Sequence, residues 1–428
     1  MKITNLNGKN VCFIGYAREG RAMQQALKEH APNAKLTFAD SNQSLKIEGA
    51  EAQLGPGYLK NLDRFDVVIR SMGVPDKPEF ATLGDKVTNS TVIFFDSVAD
   101  SGVRIVGVTG TKGKSTTSNL IYHALKAADP NTELMGNIGL PMISFLDKAK
   151  PGVTFVIELS SYMLEYLRRS PQIAVVTSFF VEHLDRHGSV ANYWGAKKNI
   201  ALHQQPGNAI FYCADYPECK EIADASPATT KVAFTANDFP LPVSATKLKG
   251  DHNRSNLAAA LKVAEYCGVD RDIAIEALKN TAGLPYRLYS LGTHHGIEWV
   301  EDSLATAPEA TLFALDALGD DIDTLITGGM DRGGYDFTAL GARIAASPIR
   351  NIVLFPDTGA AIKGAIEAAK PASPKNYLET NDMTDAVAFA KKHTKKGATC
   401  LLSSASPSYN LFKDYEDKAA QFARAIGV

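Results

Sequence analysis

The stretch Gly107-Val108-Thr109-Gly110-Thr111-Lys112-Gly113-Lys114-Ser115-Thr116 decides how this chain is read. It closes the β-branched apolar run RIVGVTG at 104–110 and opens an amphipathic helical pattern that starts near Ser115. A strand, a glycine-rich turn and a helix in that order form a phosphate-binding loop. Glycine lets the backbone turn tightly enough for successive N–H groups to face phosphate oxygens. The helix N-terminus adds its partial positive charge. The pattern predicts nucleotide binding by Gly110, Thr111, Lys112, Gly113, Lys114, Ser115 and Thr116. Lys114 would reach the β- and γ-phosphates, and the Ser115 hydroxyl would ligate Mg²⁺. The strict spacing asks for a glycine where Val108 stands, and Gly107 comes one position early. A phosphate loop alone names no reaction, because switches, transport ATPases, kinases and ligases share it.

On both sides of the loop, short apolar runs alternate with helical patterns. Before it come VCFIG at 11–15, the helical AREGRAMQQALKEHA at 17–31, LTFAD at 36–40 and DVVIRS at 66–71. After it come TFVIELS at 154–160, IAVVTSFF at 173–180 and the helical NLAAALKVAEYC at 256–267. Beyond GLPYR at 283–287 lie GIEWVEDS at 296–303, DTLITGG at 323–329, NIVLFP at 351–356 and ATCLLSS at 398–404. This rhythm predicts an α/β chain of parallel sheets covered by helices. Its expected domains are 1–98 (Rossmann-like), 99–284 (a central parallel sheet of the P-loop ATPase type) and 285–428 (Rossmann-like).

Composition narrows the classes further. With 428 residues, 45% hydrophobic and 21% charged, the chain can bury several ordinary cores without disulfide or metal staples. Its 45 basic and 47 acidic side chains leave a net charge of -2 and no basic footprint for nucleic acid. Cys12, Cys213, Cys219, Cys267 and Cys400 are scattered and contain no C-x-x-C pair, which argues against zinc or a disulfide framework. A reducing cytoplasm is the expected compartment. The apolar start Val11–Ala17 runs straight into Arg18 and Glu19, unlike a signal peptide. No run approaches the ~20 apolar residues of a membrane span, so no membrane insertion is expected.

The spelling of the loop resembles that of the Mur ligase superfamily, which also includes folylpolyglutamate synthases. The resemblance recurs in order along nearly the whole chain. Gly136-Asn137-Ile138-Gly139 is similar to the family's G-N-I-G turn, and Glu158-Leu159-Ser160-Ser161-Tyr162 to its E-L-S-S-[FY] strand end. His183-Leu184-Asp185-Arg186-His187 matches H-x-D-R-H/Y, and Lys197 takes the place of a lysine that carries a carbamate in these enzymes. Gly250-Asp251-His252-Asn253 with Asn256 matches G-x-H-N-x-x-N, and Gly283-Leu284-Pro285-Tyr286-Arg287 resembles the G-L-P-H-R of glutamate-adding members.

The resemblance implies an ATP-dependent, amide-forming ligase. It would pass the γ-phosphoryl of ATP to the alanine carboxylate of UDP-N-acetylmuramoyl-L-alanine, and glutamate would attack the acyl phosphate. Lys114, Glu158, His183 and Lys197 would be catalytic. Ser115, Glu158, His183 and a carbamylated Lys197 would hold two Mg²⁺ ions, Glu158 from the C-terminal end of a strand, where open α/β sheets place ligands. Asn256, Arg287 and Asp302 would contact the nucleotide. The third domain would close over ATP. The UDP-sugar would lie against Gly15, Tyr16, Ala17 and Arg18, with Asp40, Ser71 and Gly73 lining the same pocket and Asn137 and Ser160 further along. Thr306, Arg332, Ser408 and the backbone at Tyr415 would meet glutamate. A monomer is the expected state.

The isomer of glutamate is open. Leu304 stands where the D-glutamate enzymes resemble D-S-K-A-T, and Asp302-Ser303-Leu304-Ala305-Thr306-Ala307-Pro308-Glu309-Ala310 resembles the D-S-x-A-T-x-P-E-A of an L-glutamate branch. The commoner D-glutamate activity is placed first, the L isomer second. A folylpolyglutamate-type ligase and a P-loop ATPase that makes no bond are the further alternatives.

Overall fold

A computed structural model describes residues 1–75, 77–137, 140–182 and 184–428. Its strands form three sheets. The first has the order β3-β2-β1-β4-β5, from β1 (Asn10–Ile14), β2 (Lys35–Asp40), β3 (Glu51–Leu54), β4 (Val67–Arg70) and β5 (Val87–Thr88). The second has the order β11-β10-β9-β6-β8-β7, from β6 (Arg104–Thr109), β7 (Thr132–Gly136), β8 (Thr154–Glu158), β9 (Ile173–Val176), β10 (Ala209–Cys213) and β11 (Thr230–Phe234). Every pairing in both is parallel. The third has the order β12-β13-β17-β14-β15-β16, from β12 (Tyr289–His294), β13 (Ile297–Asp302), β14 (Ile322–Gly328), β15 (Asn351–Phe355), β16 (Asn376–Glu379) and β17 (Thr399–Ser403). Here the edge strand β12 runs antiparallel to β13.

Burial explains the apolar runs. All residues of β8, β9, β14, β15 and β17 are buried, as expected where helices cover both faces of a parallel sheet. The first two sheets belong to one compact unit, Met1–Pro240 with Arg254–Lys279. The third belongs to another, Leu241–Asn253 with Asn280–Val428. The α/β class with parallel sheets follows the sequence expectation. Among the described residues, no helix is long and apolar enough to cross a membrane.

Topology fixes where ligands fit. The chain leaves β6 toward β8 and β7 but leaves β9 toward β10 and β11. Their C-terminal ends therefore flank the switch-point crevice of an open α/β sheet. The first sheet repeats this at β1 and β4, with Gly15 and Ser71 just past the two strand ends.

Candidate functional site

The phosphate loop leaves β6 at that crevice, and two glycines shape it. Gly110 has φ +147, and a Cβ there would lie 2.0 Å from Thr177 Oγ1. Gly113 has φ +81, and a Cβ there would lie 2.5 Å from Asn256 Oδ1. A side chain at either position would force its neighbour to shift, and both φ values lie where L side chains are strained. Neighbouring chain pins the loop from behind. Thr111 N–H donates to Ser178 O (2.9 Å), Lys112 N–H to Ser178 Oγ (2.8 Å) and Thr177 Oγ1 to Lys112 O (2.6 Å). The Thr111 hydroxyl meets the Tyr193 hydroxyl at 2.8 Å. The helix Lys114–Lys126 starts on Gly113 with no side-chain cap, so no capping side chain competes with an anion for its first N–H groups. Ser115 is buried and Thr116 partly exposed on its first turn. The Asn256 carboxamide accepts from Thr117 Oγ1 at 3.0 Å.

Lys114 folds back over the loop and donates to Thr111 O at 2.7 Å. The Lys112 side chain turns away to Glu182 Oε1 at 2.5 Å. Lys197, on the helix Val190–Lys198, is 1% exposed and donates to Gly110 O at 2.7 Å. Burial holds its ammonium form well below the usual lysine range, and the Lys114 charge pushes the same way. A buried amine kept neutral can act as a nucleophile toward CO₂; a charged one cannot.

Glu158 ends β8 opposite Val108 of β6, two residues before the loop's Gly110. It is 1% exposed. One carboxylate oxygen accepts from Asn137 Nδ2 at 3.0 Å, while among the described residues Oε2 has no hydrogen-bond partner. A buried carboxylate oxygen without a donor has the chemistry of a cation ligand. With the Ser115 hydroxyl on the first turn of the helix that follows the loop, the residues present fit a divalent ion held beside phosphates. Ser160 caps the short helix Ser161–Leu164, its Oγ accepting from Met163 N–H at 3.3 Å. His183 lies outside the described residues.

In the first sheet, Tyr16 N–H donates to Asp40 Oδ2 at 2.7 Å. Glu19 accepts from the Ser71 hydroxyl at 2.7 Å, from Met72 N–H at 3.2 Å and from the Ser90 hydroxyl. The structure thus gathers Gly15, Tyr16, Asp40 and Ser71 around one turn, with Ala17, Arg18 and Gly73 exposed. Internal bonds engage Tyr16 N–H and the Ser71 hydroxyl.

The third sheet gathers a different set. Asp302 of β13 accepts from Ser403 Oγ (2.8 Å) and Leu288 N–H (3.3 Å). Burial raises its carboxyl to about 7. Beyond β17, Ser404 and Ser408 both accept from the Lys418 ammonium, at 2.6 and 2.9 Å. Gly329 closes against them: a Cβ there would sit 2.3 Å from Pro407 O and 3.2 Å from Ser408 Oγ. Tyr415 packs edge-on against Tyr286 at 5.2 Å. Arg287 and Thr306 are exposed. Arg332 is exposed too and stacks 5.4 Å over the Tyr409 ring.

Sequence reasoning missed Thr177, Ser178, Tyr193 and Lys418. The first two follow the strand paired with β6, so switch-point logic pointed there. Lys418 shares a buried helical stripe with Phe422 and Ile426, a spacing of four that marks a core-facing position.

A phosphate cradle at a sheet switch point, with a buried donor-less carboxylate beside it, defines a nucleotide-dependent enzyme. The comparisons define it further. Residues 108–245 match the model of the Mur ligase middle domain. A UDP-N-acetylmuramoyl-L-alanine–L-glutamate ligase of Salinispora tropica is 36% identical, over 100% of this chain and 99% of that protein. One of the same name from Xanthomonas axonopodis pv. citri is 32% identical, over 100% of this chain and 97% of that protein. In fold, the chain resembles UDP-N-acetylmuramate–alanine ligase of Thermotoga maritima (TM-score 0.61, 17% identity, 97% of this chain and 98% of that one). It also resembles the MurF ligase of Thermotoga maritima in complex with ADP (TM-score 0.60, 16% identity, 99% and 96%). The chain belongs to the Mur ligase family and is an ATP-dependent, amide-bond-forming ligase.

Proposed function

We propose that this enzyme joins L-glutamate to the alanine carboxylate of UDP-N-acetylmuramoyl-L-alanine, as a cytoplasmic monomer making a peptidoglycan precursor. The reaction rests on one observation above all, the donor-less oxygen of buried Glu158 beside the phosphate loop. The substrates rest on the names of full-length relatives and on the Asp302–Ala310 stretch. Those names favour the L isomer, which the sequence reading had ranked second.

The loop N–H groups and Lys114 bind the triphosphate and orient its γ-phosphoryl toward the alanine carboxylate. Mg²⁺, when bound, neutralises phosphate charge; Ser115, Glu158, His183 and a carbamylated Lys197 are the proposed ligands for two ions. Burial, which disfavours the ammonium form of Lys197, suits carbamate formation, which would turn a repelling cation into an anionic ligand. The alanine carboxylate takes the γ-phosphoryl and ADP leaves; glutamate's amine, having lost its extra proton to solvent, then attacks the carbonyl carbon of the acyl phosphate, and phosphate leaves as the amide forms. His183 is proposed to stabilise the oxyanion at that step. Asn256, Arg287 and Asp302 are proposed nucleotide contacts. The turn around Gly15, Tyr16, Ala17, Arg18, Asp40, Ser71 and Gly73 is proposed for the UDP moiety, with Asn137 and Ser160 nearer the alanine. Thr306, Arg332, Ser408 and Tyr415 are proposed for glutamate.

The test is phosphate release with ATP, Mg²⁺ and UDP-N-acetylmuramoyl-L-alanine, run with each glutamate isomer. Dependence on L-glutamate is expected, and Lys114→Ala should leave no detectable release. Dependence on D-glutamate would restore the first-ranked isomer. Release indifferent to the UDP-sugar would overturn the substrate assignment.

A further inference from the structure

The helix Tyr415–Ile426 carries Lys418 into the interior, where it is 1% exposed. A buried lysine is costly unless charge or hydrogen bonding compensates. Here its ammonium donates to two hydroxyls, Ser404 Oγ at 2.6 Å and Ser408 Oγ at 2.9 Å. Glu301 and Asp302 act on it only through space, and among the described residues it makes no ion pair. Burial lowers its pKa to about 8 while those two acids hold it up. The charge is therefore present near neutrality.

The direction of these bonds has a consequence for the serines. An ammonium only donates, so both hydroxyls must accept from it. Each then has its own hydrogen to give elsewhere. Ser404 is 0% exposed, whereas Ser408 is 8% exposed and reaches the outside. Its hydroxyl faces Gly329, which offers no side chain to cover it. Ser408 is thereby oriented as a donor with a fixed positive charge behind it. A carboxylate is the group this arrangement suits, since charge-assisted bonds are stronger than neutral ones.

We infer that Lys418 is a positioning residue for amino-acid selection, orienting Ser408 to receive the side-chain carboxylate of the incoming glutamate. This rests on the ligase reading above. The amine-bearing end of glutamate must stay open to the acyl phosphate, so the far carboxylate is the one taken into the protein.

The experiment compares L-glutamate with L-glutamine as acceptor, in wild type and in Lys418→Met, Lys418→Arg and Ser408→Ala. The wild type should favour glutamate. Lys418→Met should raise KM for glutamate by about 10- to 100-fold, the range of one charge-assisted hydrogen bond. It should leave KM for ATP and for the UDP-sugar, and the weak turnover of glutamine, within about twofold. Lys418→Arg, which keeps the charge, should recover most of the glutamate preference. Ser408→Ala should mimic Lys418→Met, and the double variant should be little worse than either single one. If Lys418→Met does not fold, the Lys418→Arg and Ser408→Ala arms still decide. Unchanged discrimination in Ser408→Ala, or equal losses for glutamate and ATP, would overturn the inference. A wild type inactive on this precursor with both glutamate isomers would instead overturn the ligase reading itself.

Discussion

Two lysines are buried to the same degree in this chain, and their surroundings give them opposite chemistry. Lys197 and Lys418 are each 1% exposed. Lys197 donates to one backbone carbonyl, lies 4.7 Å over the Tyr193 ring, and has another cation, Lys114, as its strongest charged neighbour. Lys418 donates to two hydroxyls and has Glu301 and Asp302 as its charged neighbours. Burial alone favours the neutral amine in both. The neighbours decide how far that goes, so the first is suited to reaction and the second to holding an anion.

The sharpest way to break this contrast is Lys197→Arg. Arginine cannot be neutralised in a protein, so it would keep a cation where the reading requires an amine or its carbamate. Loss of at least about a hundredfold in phosphate release is expected, the scale of one transition-state charge contact. Lys197→Ala should be as poor but partly restored by acetate, a free carboxylate standing in for the carbamate. Near-normal activity in Lys197→Arg would show that no neutral amine is needed there.

The second way acts on the acids beside Lys418. Burial raises Asp302 from 3.8 to about 7, Glu301 adds to the rise, and Arg287 and two hydrogen bonds oppose it. A raised folded pKa means that the protonated form is favoured in the fold. Its stabilising share is complete below about pH 4 and is lost as pH climbs through 7. Asp302→Asn cannot ionise, so it should gain on the wild type between pH 5 and pH 8. The gain is on the order of 3 kcal/mol, at about 1.4 kcal/mol per pKa unit. Denaturant melts at the two pH values measure it, and a constant difference would mean that Asp302 titrates as an ordinary exposed carboxylate.

Much of this architecture was legible in the residues. The runs at 104–110 and 154–160 became β6 and β8 because period-free apolar stretches have few other homes in an α/β chain. The spelling of the loop placed Gly110, Gly113 and Lys114 together without any coordinates. Hydrogen bonds between distant segments were not legible. Nothing local says that Thr177 closes on Lys112, or that Ser71 gives its hydroxyl to Glu19. The antiparallel β12 also escaped notice, since its half-exposed residues at a sheet edge lack a continuous apolar run. Lys418 was readable in principle, but a lysine in a charged helix is assigned to solvent by residue type before its stripe is checked.

The smallest effect belongs to a third lysine, which tests the contrast from outside. Lys112 stands in the same loop as Lys114, with its ammonium 2.5 Å from Glu182 and a side chain 43% exposed. Of the three lysines Lys112, Lys197 and Lys418, only this one makes an ion pair among the described residues, yet water screens that pair and the long side chain loses entropy in forming it. Its backbone, held by Ser178 Oγ, does the work of shaping the loop and is untouched by substitution of the side chain. Lys112→Ala should therefore lower stability by less than about 1 kcal/mol and change KM for ATP by less than about threefold. A larger rise in that KM, with stability unchanged, would mean that the Lys112 ammonium leaves Glu182 for the phosphates when ATP binds. Exposure would then no longer separate this lysine from the buried Lys197 and Lys418.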